Sequence, residues 1–249
     1  MRISIAILVG ALAFAGLASP ALAGTINTNR PIALGDNLFE DNLQEVLDGI
    51  HVGGPAIDAV ADQTGFALFH NQASGGAVAT FIVEITSGSA SQVLGLYDAY
   101  DPTNRIPIFG GADTTGEQKL ISFLLNGTVK INGVVAGALT GGSFGFYLAN
   151  GSTVWYTEDE LNGGNPQALV YRGNGLTTLQ LPGFAPGVFA TDEYIFAFED
   201  GAYRASDQDF QDAVFLVESI SPMPEPGTLA LLGVAGVGAL LRRRKRASA

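Results

Sequence analysis

The chain has 249 residues with no cysteine and only two histidines; 14% of the residues are charged and 33 are glycine. This composition is too apolar for a disordered protein and too rich in glycine for a helical bundle. Residues 24–226 hold all 24 acidic residues but only six of the 12 basic ones, so this part carries a formal charge of −18. That charge argues against nucleic acid as a partner and favours cations. The lack of cysteine excludes disulfides, thiol catalysis and thiolate metal sites.

The N-terminal end has the pattern of a secretory signal peptide. A short segment with one positive charge precedes an apolar run at residues 5–18, and Ala21 and Ala23 supply the small residues that signal peptidase requires. We therefore expect residues 1–23 to be removed after Ala23. The alternative is an N-terminal membrane anchor, but the apolar run is short for a membrane span and is followed by Pro20.

The C-terminal end, residues 224–249, contains three elements in order. Pro224-Glu225-Pro226 precede an apolar stretch at residues 228–241, and a basic cluster follows. The cluster consists of Arg242, Arg243, Arg244, Lys245 and Arg246. A helix over the apolar stretch would be about 21 Å long, less than the roughly 30 Å of a bilayer core. Because the basic cluster resists translocation, we expect the tail to stop in the inner membrane with its basic end in the cytoplasm.

This arrangement, from Met223 to Arg246, resembles the PEP-CTERM sorting signal of Gram-negative bacteria. The resemblance implies cleavage near Pro224-Glu225-Pro226 by an exosortase-type membrane protease. The inner membrane would then hold the tail only transiently, and the processed protein would lie at the cell surface or in the extracellular matrix. A plain C-terminal anchor is the alternative.

The first part of the mature chain has helical spacing. Apolar residues recur at Phe39, Leu43, Val46, Leu47 and Ile50, which predicts a short helix. Asn37 and Glu40 have the spacing of a capping box at its start.

The rest of residues 24–223 has the pattern of an all-β domain. Short β-branched or aromatic runs alternate with clusters of Gly, Asn, Asp, Pro and Ser. This pattern predicts one antiparallel β-sandwich, jelly-roll-like. The predicted strands are residues 66–69, 77–85, 93–97, 106–109, 120–125, 129–135, 144–148, 154–156, 168–171, 194–198 and 213–220. In the predicted strand at residues 194–198, apolar and polar residues do not alternate, so we expect this strand to be buried on both faces.

Five carboxylates lie between the last two predicted strands, at Glu199, Asp200, Asp207, Asp209 and Asp212. Acids this close together cannot all ionise without a neutralising partner. Calcium takes six to eight oxygen ligands and would resolve the conflict, although the spacing is not that of an EF-hand. A solvated acidic turn is the alternative, and the residues alone leave both open.

The same stretch resembles an uncharacterised acidic domain of PEP-CTERM proteins, with the signature F-E-D…S-D-x-D-F-N-D. Phe198-Glu199-Asp200 and residues 206–212 carry the resemblance, and Gln211 stands where the signature has Asn. Residues 79–85, 95–98, 143–148, 155–157 and 168–171 are also similar to that group. The resemblance implies an extracellular, matrix-associated protein and calcium. The expected calcium ligands are Asp207, Asp209 and Asp212, with Glu199 and Asp200 as further ligands.

We expect no catalytic residues. Gly141–Gly145 fits G-x-S-x-G around Ser143, but a nucleophile elbow needs a helix after the serine, and a strand pattern follows here. Residues 158–160 are three adjacent acids, which we interpret as surface acids rather than a glycosidase pair. His51 and His70 lack partners at metal-ligand spacing.

Four aromatic residues offer a different reading, because they could form a platform for stacking on sugars. These residues are Tyr147, Trp155, Tyr156 and Tyr171. In a β-sandwich, aromatic residues more often fill the core, and this is the interpretation that we favour.

The favoured function is a secreted, exosortase-processed structural or binding protein of the cell surface or of an exopolysaccharide or biofilm matrix, with extracellular polysaccharide as a partner and calcium as a stabilising ion. A calcium-dependent carbohydrate-binding module is the first alternative. An extracellular hydrolase is the second.

Overall fold

The computed structural model describes residues 26–35, 40–71, 78–84 and 90–223, with backbone only at 78–84. The predicted signal helix and the predicted helix of the sorting tail lie outside these ranges. Within them, no helix is long and apolar enough to cross a membrane.

The described residues form one α-helix, a short 3₁₀ helix (Asp159–Asn162) and strands that we number β1 to β17. The helix is α1 (Leu43–Ile50), and the strands are β1 (His51–Gly53), β2 (Gln63–Thr64), β3 (Phe69–Asn71), β4 (Val78–Glu84), β5 (Gln92–Asp98), β6 (Asp101–Gly110), β7 (Gln118–Phe123), β8 (Thr128–Ile131), β9 (Val134–Ala138), β10 (Ser143–Asn150), β11 (Thr153–Tyr156), β12 (Ala168–Arg172), β13 (Thr178–Leu179), β14 (Gly187–Val188), β15 (Tyr194–Phe198), β16 (Ala213–Val217) and β17 (Ile220–Pro222).

The strands build three antiparallel sheets. An eight-stranded sheet has the order β2-β12-β15-β16-β4-β7-β8-β9. A six-stranded sheet has the order β17-β3-β10-β5-β6, with β11 paired to β10, and a three-stranded sheet has the order β1-β13-β14. These sheets confirm the all-β antiparallel prediction.

The main core lies between the two large sheets and is rich in aromatic side chains. Phe146 of β10 in the six-stranded sheet packs against Phe196 and Phe215 of β15 and β16 in the eight-stranded sheet, with ring centroids 4.4 and 5.3 Å apart. Buried aromatic pairs of this kind contribute about 0.5–1.5 kcal/mol beyond the area that they remove from water. The two sheets therefore form a sandwich around this aromatic centre.

A second core covers the outer face of the eight-stranded sheet. Leu43 and Leu47 of α1 belong to the same buried cluster as Ile195 of β15 and Leu216 of β16. Because alternate residues of a strand point to opposite faces, β15 contributes to both cores and all its residues are buried. This confirms the prediction that residues 194–198 are buried on both faces.

The helix starts later than its predicted capping box. Its N-cap is Asn42, whose side chain accepts from the amide of Glu45, while the Glu45 carboxylate accepts from the Asn42 amide at 2.9 Å. Asn37 lies outside the described residues, and Glu40 precedes the helix. The prediction of Asn37 as the cap was wrong. The same three-residue spacing of Asn and Glu recurs at Asn42 and Glu45, and Asn42 directly precedes the first buried leucine of the helix.

Two predicted strands are each divided by a turn that the pattern of apolar residues does not show. Residues 129–135 form a hairpin of β8 and β9, whose turn residues Asn132 and Gly133 both have positive φ, as two-residue hairpin turns require. Residues 213–220 divide at Ser219, which has a φ of 60°. Beyond this residue the chain leaves the eight-stranded sheet, and β17 pairs with β3 in the six-stranded sheet.

Candidate functional site

The five predicted acids lie in the connection between β15 and β16, residues 199–212. The two strands pair as far as Phe198 and Ala213, which brings both ends of this loop together. Gln167, which is fully buried, supports the loop: its amide nitrogen donates to the carbonyls of Glu199 and Gly201 at 3.1 and 2.6 Å. Its amide oxygen accepts from the Tyr203 amide at 2.8 Å. The loop is therefore anchored to the sandwich through a buried side chain.

Three of the five acids converge within this loop. Carboxylate oxygens of Glu199, Asp209 and Asp212 all lie within 4.8 Å of one another, and we call these three residues the inner acid cluster. Glu199 and Asp209 are each only 1% exposed. Oε2 of Glu199 and Oδ2 of Asp209 have no hydrogen-bond partner. A buried polar atom without a partner costs on the order of 1–3 kcal/mol, and more when it carries charge.

Burial and mutual repulsion both disfavour the ionised forms of these acids. Burial, followed by the negative charge of Asp212, raises the pKa of Glu199 to about 8. Burial raises the pKa of Asp209 to about 6, with the charges of Asp207 and Asp212 adding to the shift. Burial also raises the pKa of Asp212 to about 6, although the amide of Asp200 donates to it. At neutral pH these pKa values leave Glu199 mostly protonated and Asp209 and Asp212 mostly ionised, so without a cation the cluster holds a proton as well as negative charge.

Among the described residues, no protein cation neutralises the inner acid cluster. The ion pairs within 4.0 Å in these ranges are those of Lys119 with Asp113 and Glu117. Lys119 lies on β7, away from the loop between β15 and β16. Within the described part of the chain, a proton or an ion from solution is left as the neutralising partner of the crowded acids.

Asp200, also predicted as a ligand, faces away from the cluster. Its Oδ2 accepts from the side-chain amides of Asn150, at 2.8 Å, and of Gln92, both in the six-stranded sheet. Its backbone carbonyl accepts from the indole nitrogen of Trp155 at 2.8 Å. Only its backbone amide points inward, donating to Oδ2 of Asp212 at 2.8 Å. Asp200 therefore ties the loop to the opposite sheet.

Asp207 lies at the outer side of the same loop. It is exposed and forms a second group of close carboxylates with Glu40 and Asp209. The side-chain amide nitrogen of Gln211 donates to Oε2 of Glu40 at 3.0 Å, so the residue that replaces Asn in the acidic signature contacts the N-terminal segment. The sequence gives no signal that Glu40 joins these acids, because Glu40 is far from the acid loop along the chain and approaches it only through the fold.

The serine and the histidines considered for an enzyme lie in strands. Ser143 is the first residue of β10, is 8% exposed and is followed by a strand, so the segment does not form a nucleophile elbow. It pairs in register with His70 of β3, whose Nε2 lies 2.9 Å from Oγ of Ser221. His51 contacts the carbonyl of Gly54 at 3.1 Å through its Nε2.

The interpretation of residues 158–160 as surface acids was wrong for two of the three. Glu158 is buried and accepts from the hydroxyl of Tyr97 at 2.8 Å. Asp159 is 5% exposed, and burial raises its pKa to about 7 despite the nearby guanidinium of Arg30. Only Glu160 is exposed. The acids fold inward because the 3₁₀ helix turns the chain back against β11.

The four aromatic residues that could have formed a sugar platform do not present one common face. Tyr171 is in the core beneath α1, and its hydroxyl donates to the carbonyl of Ala59 at 2.6 Å. Tyr147 is buried in a separate small cluster, with Tyr156 packed at its edge. Trp155 is half-buried beside the acid loop. This arrangement confirms the core interpretation for Tyr147 and Tyr171.

A surface pocket of about 150 Å³ is lined by residues of β13, β14 and β16 and by Gln118 of β7. Its lining includes apolar side chains from Leu181 and Phe184 and two acids, Glu193 and Glu218. Burial raises the pKa of Glu193 to about 6, and that of Glu218 is raised for the same reason. The sequence offered no signal for this pocket, because its walls come from separate strands.

Comparison with known proteins gives one match that bears on function. No curated protein matches the chain. Among solved structures, it is similar to the Chromobacterium violaceum lectin CV2L in complex with α-methyl-fucoside. That alignment has 11% identity and a TM-score of 0.28, and it covers 64% of this chain and 97% of the lectin, a level that carries no argument about fold or function. Residues 224–245 match the PEP-CTERM protein-sorting motif, which confirms that the chain carries this sorting signal at its C-terminal end.

Proposed function

We propose that this protein is a structural or binding component of the cell surface or of an exopolysaccharide or biofilm matrix. In this proposal, signal peptidase removes residues 1–23, and an exosortase-type protease acts at the sorting motif. The single observation that carries the proposal is the PEP-CTERM motif at residues 224–245, which marks a secreted substrate of an exosortase. Calcium is the stabilising ion in this proposal.

The position of the motif relative to the fold supports processing without loss of structure. The last strand, β17, ends at Pro222, and the amide of Met223 donates to the carbonyl of Leu68 at 2.9 Å. The motif begins at the next residue, Pro224. Cleavage near Pro224-Glu225-Pro226 would therefore leave every described strand in place.

A non-enzymatic role is supported by the placement of the one serine that fits a hydrolase motif. Ser143 is nearly buried and lies at the start of a strand, so a substrate carbonyl could not approach it as in a nucleophile elbow. An extracellular hydrolase stays as an alternative that an esterase assay on the wild type and on Ser143→Ala would decide.

The test of the proposal is fractionation of the producing cells followed by intact-mass measurement of the protein. We expect the protein in surface or matrix material, starting near Gly24 and lacking Arg242–Arg246. Protein that stays in the inner membrane with its basic tail attached would contradict the proposal.

Carbohydrate binding is the second candidate function, and the pocket at Glu193 and Glu218 favours it. Carboxylates beside apolar side chains can accept hydrogen bonds from sugar hydroxyls while the sugar ring packs on the apolar wall. Retention of the purified protein on polysaccharide from its own strain, with and without calcium, tests this candidate. Saturable retention that Glu193→Gln with Glu218→Gln reduces would support binding in the pocket, and no retention would favour a structural role.

A further inference from the structure

The inner acid cluster differs from an ordinary patch of surface acids in its burial. Two of its three members, Glu199 and Asp209, are 1% exposed, and each has one carboxylate oxygen without a hydrogen-bond partner. Bulk water satisfies the acids of a solvated turn, whereas these two atoms have almost no solvent-exposed surface. The third member, Asp212, already accepts from the amide of Asp200.

The geometry of the cluster fits one hard cation. Ligand oxygens of calcium lie 2.3–2.6 Å from the ion, so oxygens on opposite sides of one ion are roughly 5 Å apart. One oxygen from each member of the cluster falls within 4.8 Å of the others, inside that limit. All three residues offer only oxygen, which favours calcium or magnesium over zinc or copper.

We infer that Glu199, Asp209 and Asp212 hold one calcium ion, and that the ion fastens the N-terminal segment to the last strand pair of the sandwich. This inference goes beyond the proposed surface role and does not depend on the sorting motif. Further oxygen ligands, such as water molecules, would complete the six to eight oxygens that calcium takes.

The fastening follows from backbone contacts of the same loop. The amide of Leu43, the first residue of α1, donates to the carbonyl of Asp209 at 3.0 Å. The amide of Gly35 donates to the carbonyl of Gln208 at 2.9 Å. An ion that fixes the side chain of Asp209 therefore also fixes the carbonyls that receive the N-terminal segment.

The loop backbone next to Asp209 is consistent with a residue that is held in place. Gln208 and Phe210 on either side of it have φ values of 63° and 56°, a conformation that L-residues seldom adopt. Phe210 is fully buried in the core beneath α1, so the loop is pinned on its inner side. The Asp209 carboxylate, between these two residues, is buried in the cluster rather than exposed to solvent.

Two carboxylates sharing a proton are the competing way to satisfy the cluster. Glu199 and Asp212 approach closely enough to exchange a hydrogen bond when one of them is protonated. A shared proton requires no metal and gives no response to calcium. The experiment must therefore separate calcium from protons and from general screening by salt.

The first measurement is thermal unfolding of the purified, processed protein in calcium and in chelator, at constant ionic strength and pH 7.5. When free calcium is a hundredfold above its dissociation constant, we expect the midpoint to rise by about 5–10 °C. Extracellular calcium sites typically have dissociation constants on the order of 0.1–1 mM, so the rise should begin at about millimolar calcium and reach this size at roughly 10–100 mM. A midpoint that calcium does not move would overturn the inference.

The second measurement compares two charge-matched variants. Glu199→Gln with Asp209→Asn keeps one acceptor oxygen in each side chain but removes two ionisable carboxyl groups from the cluster, and we expect it to abolish the calcium shift. Asp48→Asn with Glu160→Gln removes two exposed charges elsewhere and should keep the full shift. Equal shifts in both variants would mean that calcium acts by screening or at another place, which contradicts the inference.

The difference in unfolding temperature between the cluster variant and the wild type, measured in chelator, gives an independent test. Without calcium, the cluster variant should unfold at the same temperature as the wild type or higher, because it no longer brings unpaired charges together. In calcium the order should reverse. A variant that is less stable than the wild type in both conditions would indicate a purely structural role for these acids.

Direct binding to the wild type keeps the inference testable even if the cluster variant does not fold. Trp155 is the only tryptophan, and its indole nitrogen donates to the carbonyl of Asp200, next to Glu199. Excitation of Trp155 should sensitise the luminescence of bound terbium, and calcium should displace it with a stoichiometry of one. Absence of a terbium signal would overturn the inference. Displacement of terbium by magnesium and calcium to the same extent, and only at high salt, would overturn a specific calcium site.

Discussion

The amide of Leu43 donates to the carbonyl of Asp209 at 3.0 Å, so the first residue of the α-helix among the described residues is tied to a buried acid near the other end of the domain. The first amides of a helix have no partner inside it, and a loop carbonyl here supplies one. The position of the start of α1 therefore depends on the conformation of the loop between β15 and β16. Changes at either partner should therefore affect both.

Gly35 occupies a position where the N-terminal segment crosses the acid loop without room for a side chain. A Cβ atom built at Gly35 would lie 1.6 Å from the carbonyl oxygen of Asp207. We expect Gly35→Ala to lower the free energy of unfolding by about 1–3 kcal/mol or more, because the backbones must separate. Chemical denaturation measures the loss.

Gly49, in α1, is the matched control for this substitution. A Cβ atom there would meet nothing within 4 Å. Gly49→Ala should raise the free energy of unfolding by about 0.4–1 kcal/mol, because alanine restricts the unfolded chain and favours helix. Loss of stability in both variants to the same extent would contradict the close contact at Gly35.

The capping box at the start of α1 gives a second prediction. Asn42→Ala removes the acceptor for the amide of Glu45, and we expect it to lower the free energy of unfolding by about 0.5–2 kcal/mol. Asn42→Ser, which keeps an acceptor, should recover most of the loss. If serine and alanine were equally destabilising in chemical denaturation, the cap would not contribute through its side-chain oxygen.

The raised pKa values of the cluster predict how the stability of the metal-free protein depends on pH. The pKa of Glu199 is about 8 and that of Asp212 about 6 in the folded state, above the ordinary values near 4 in the unfolded chain. Between about pH 4 and pH 8, the folded state therefore binds more protons than the unfolded state. In chelator, the contribution of the cluster to stability should therefore be greatest near pH 4 and fall as the pH rises to about 8.

Denaturant unfolding at several pH values in chelator tests this dependence. The contribution of the cluster is the difference between the wild type and Glu199→Gln with Asp209→Asn. Asp159 titrates in the same direction, while burial lowers the pKa of His70 and works in the opposite direction, but both remain in the variant and cancel in the difference. A difference that grows in favour of the wild type as the pH rises would contradict the shifts. Millimolar calcium should reduce the loss at high pH, because the ion replaces the protons.

The sorting tail gives a prediction that does not depend on the fold. Replacing Arg242, Arg243, Arg244, Lys245 and Arg246 by glutamine should let the tail pass through the membrane, because the charge that resists translocation is gone. We expect intact mass to show extracellular protein with the complete tail. Arg204→Gln, a change of a basic residue within the domain, should leave processing normal. Normal removal of the neutral tail would contradict a role for the basic cluster.

The sequence by itself determined the features that depend on neighbouring residues. The sorting motif is linear, so its three elements and their order identify it without any folding. The β class follows from strand-length apolar runs divided by turn residues, since local patterns of this kind depend on side chains that alternate along one strand. The Asn132-Gly133 turn carried a recognisable local signal as well, and it was missed because the apolar residues on both sides were read as one strand.

Only the tertiary structure decided which acids share a site. Five carboxylates follow one another in the loop, yet Asp200 turns to Asn150 in the other sheet while Glu199, Asp209 and Asp212 turn inward. No period along the chain encodes that division, because hydrogen bonds to distant strands set the direction of each side chain. The approach of Glu40 to Asp207 likewise depends on the path of the N-terminal segment across the loop, and the burial of Glu158 depends on Tyr97. Sequence patterns report what is near along the chain, whereas burial and unpaired charge depend on what the fold brings near in space.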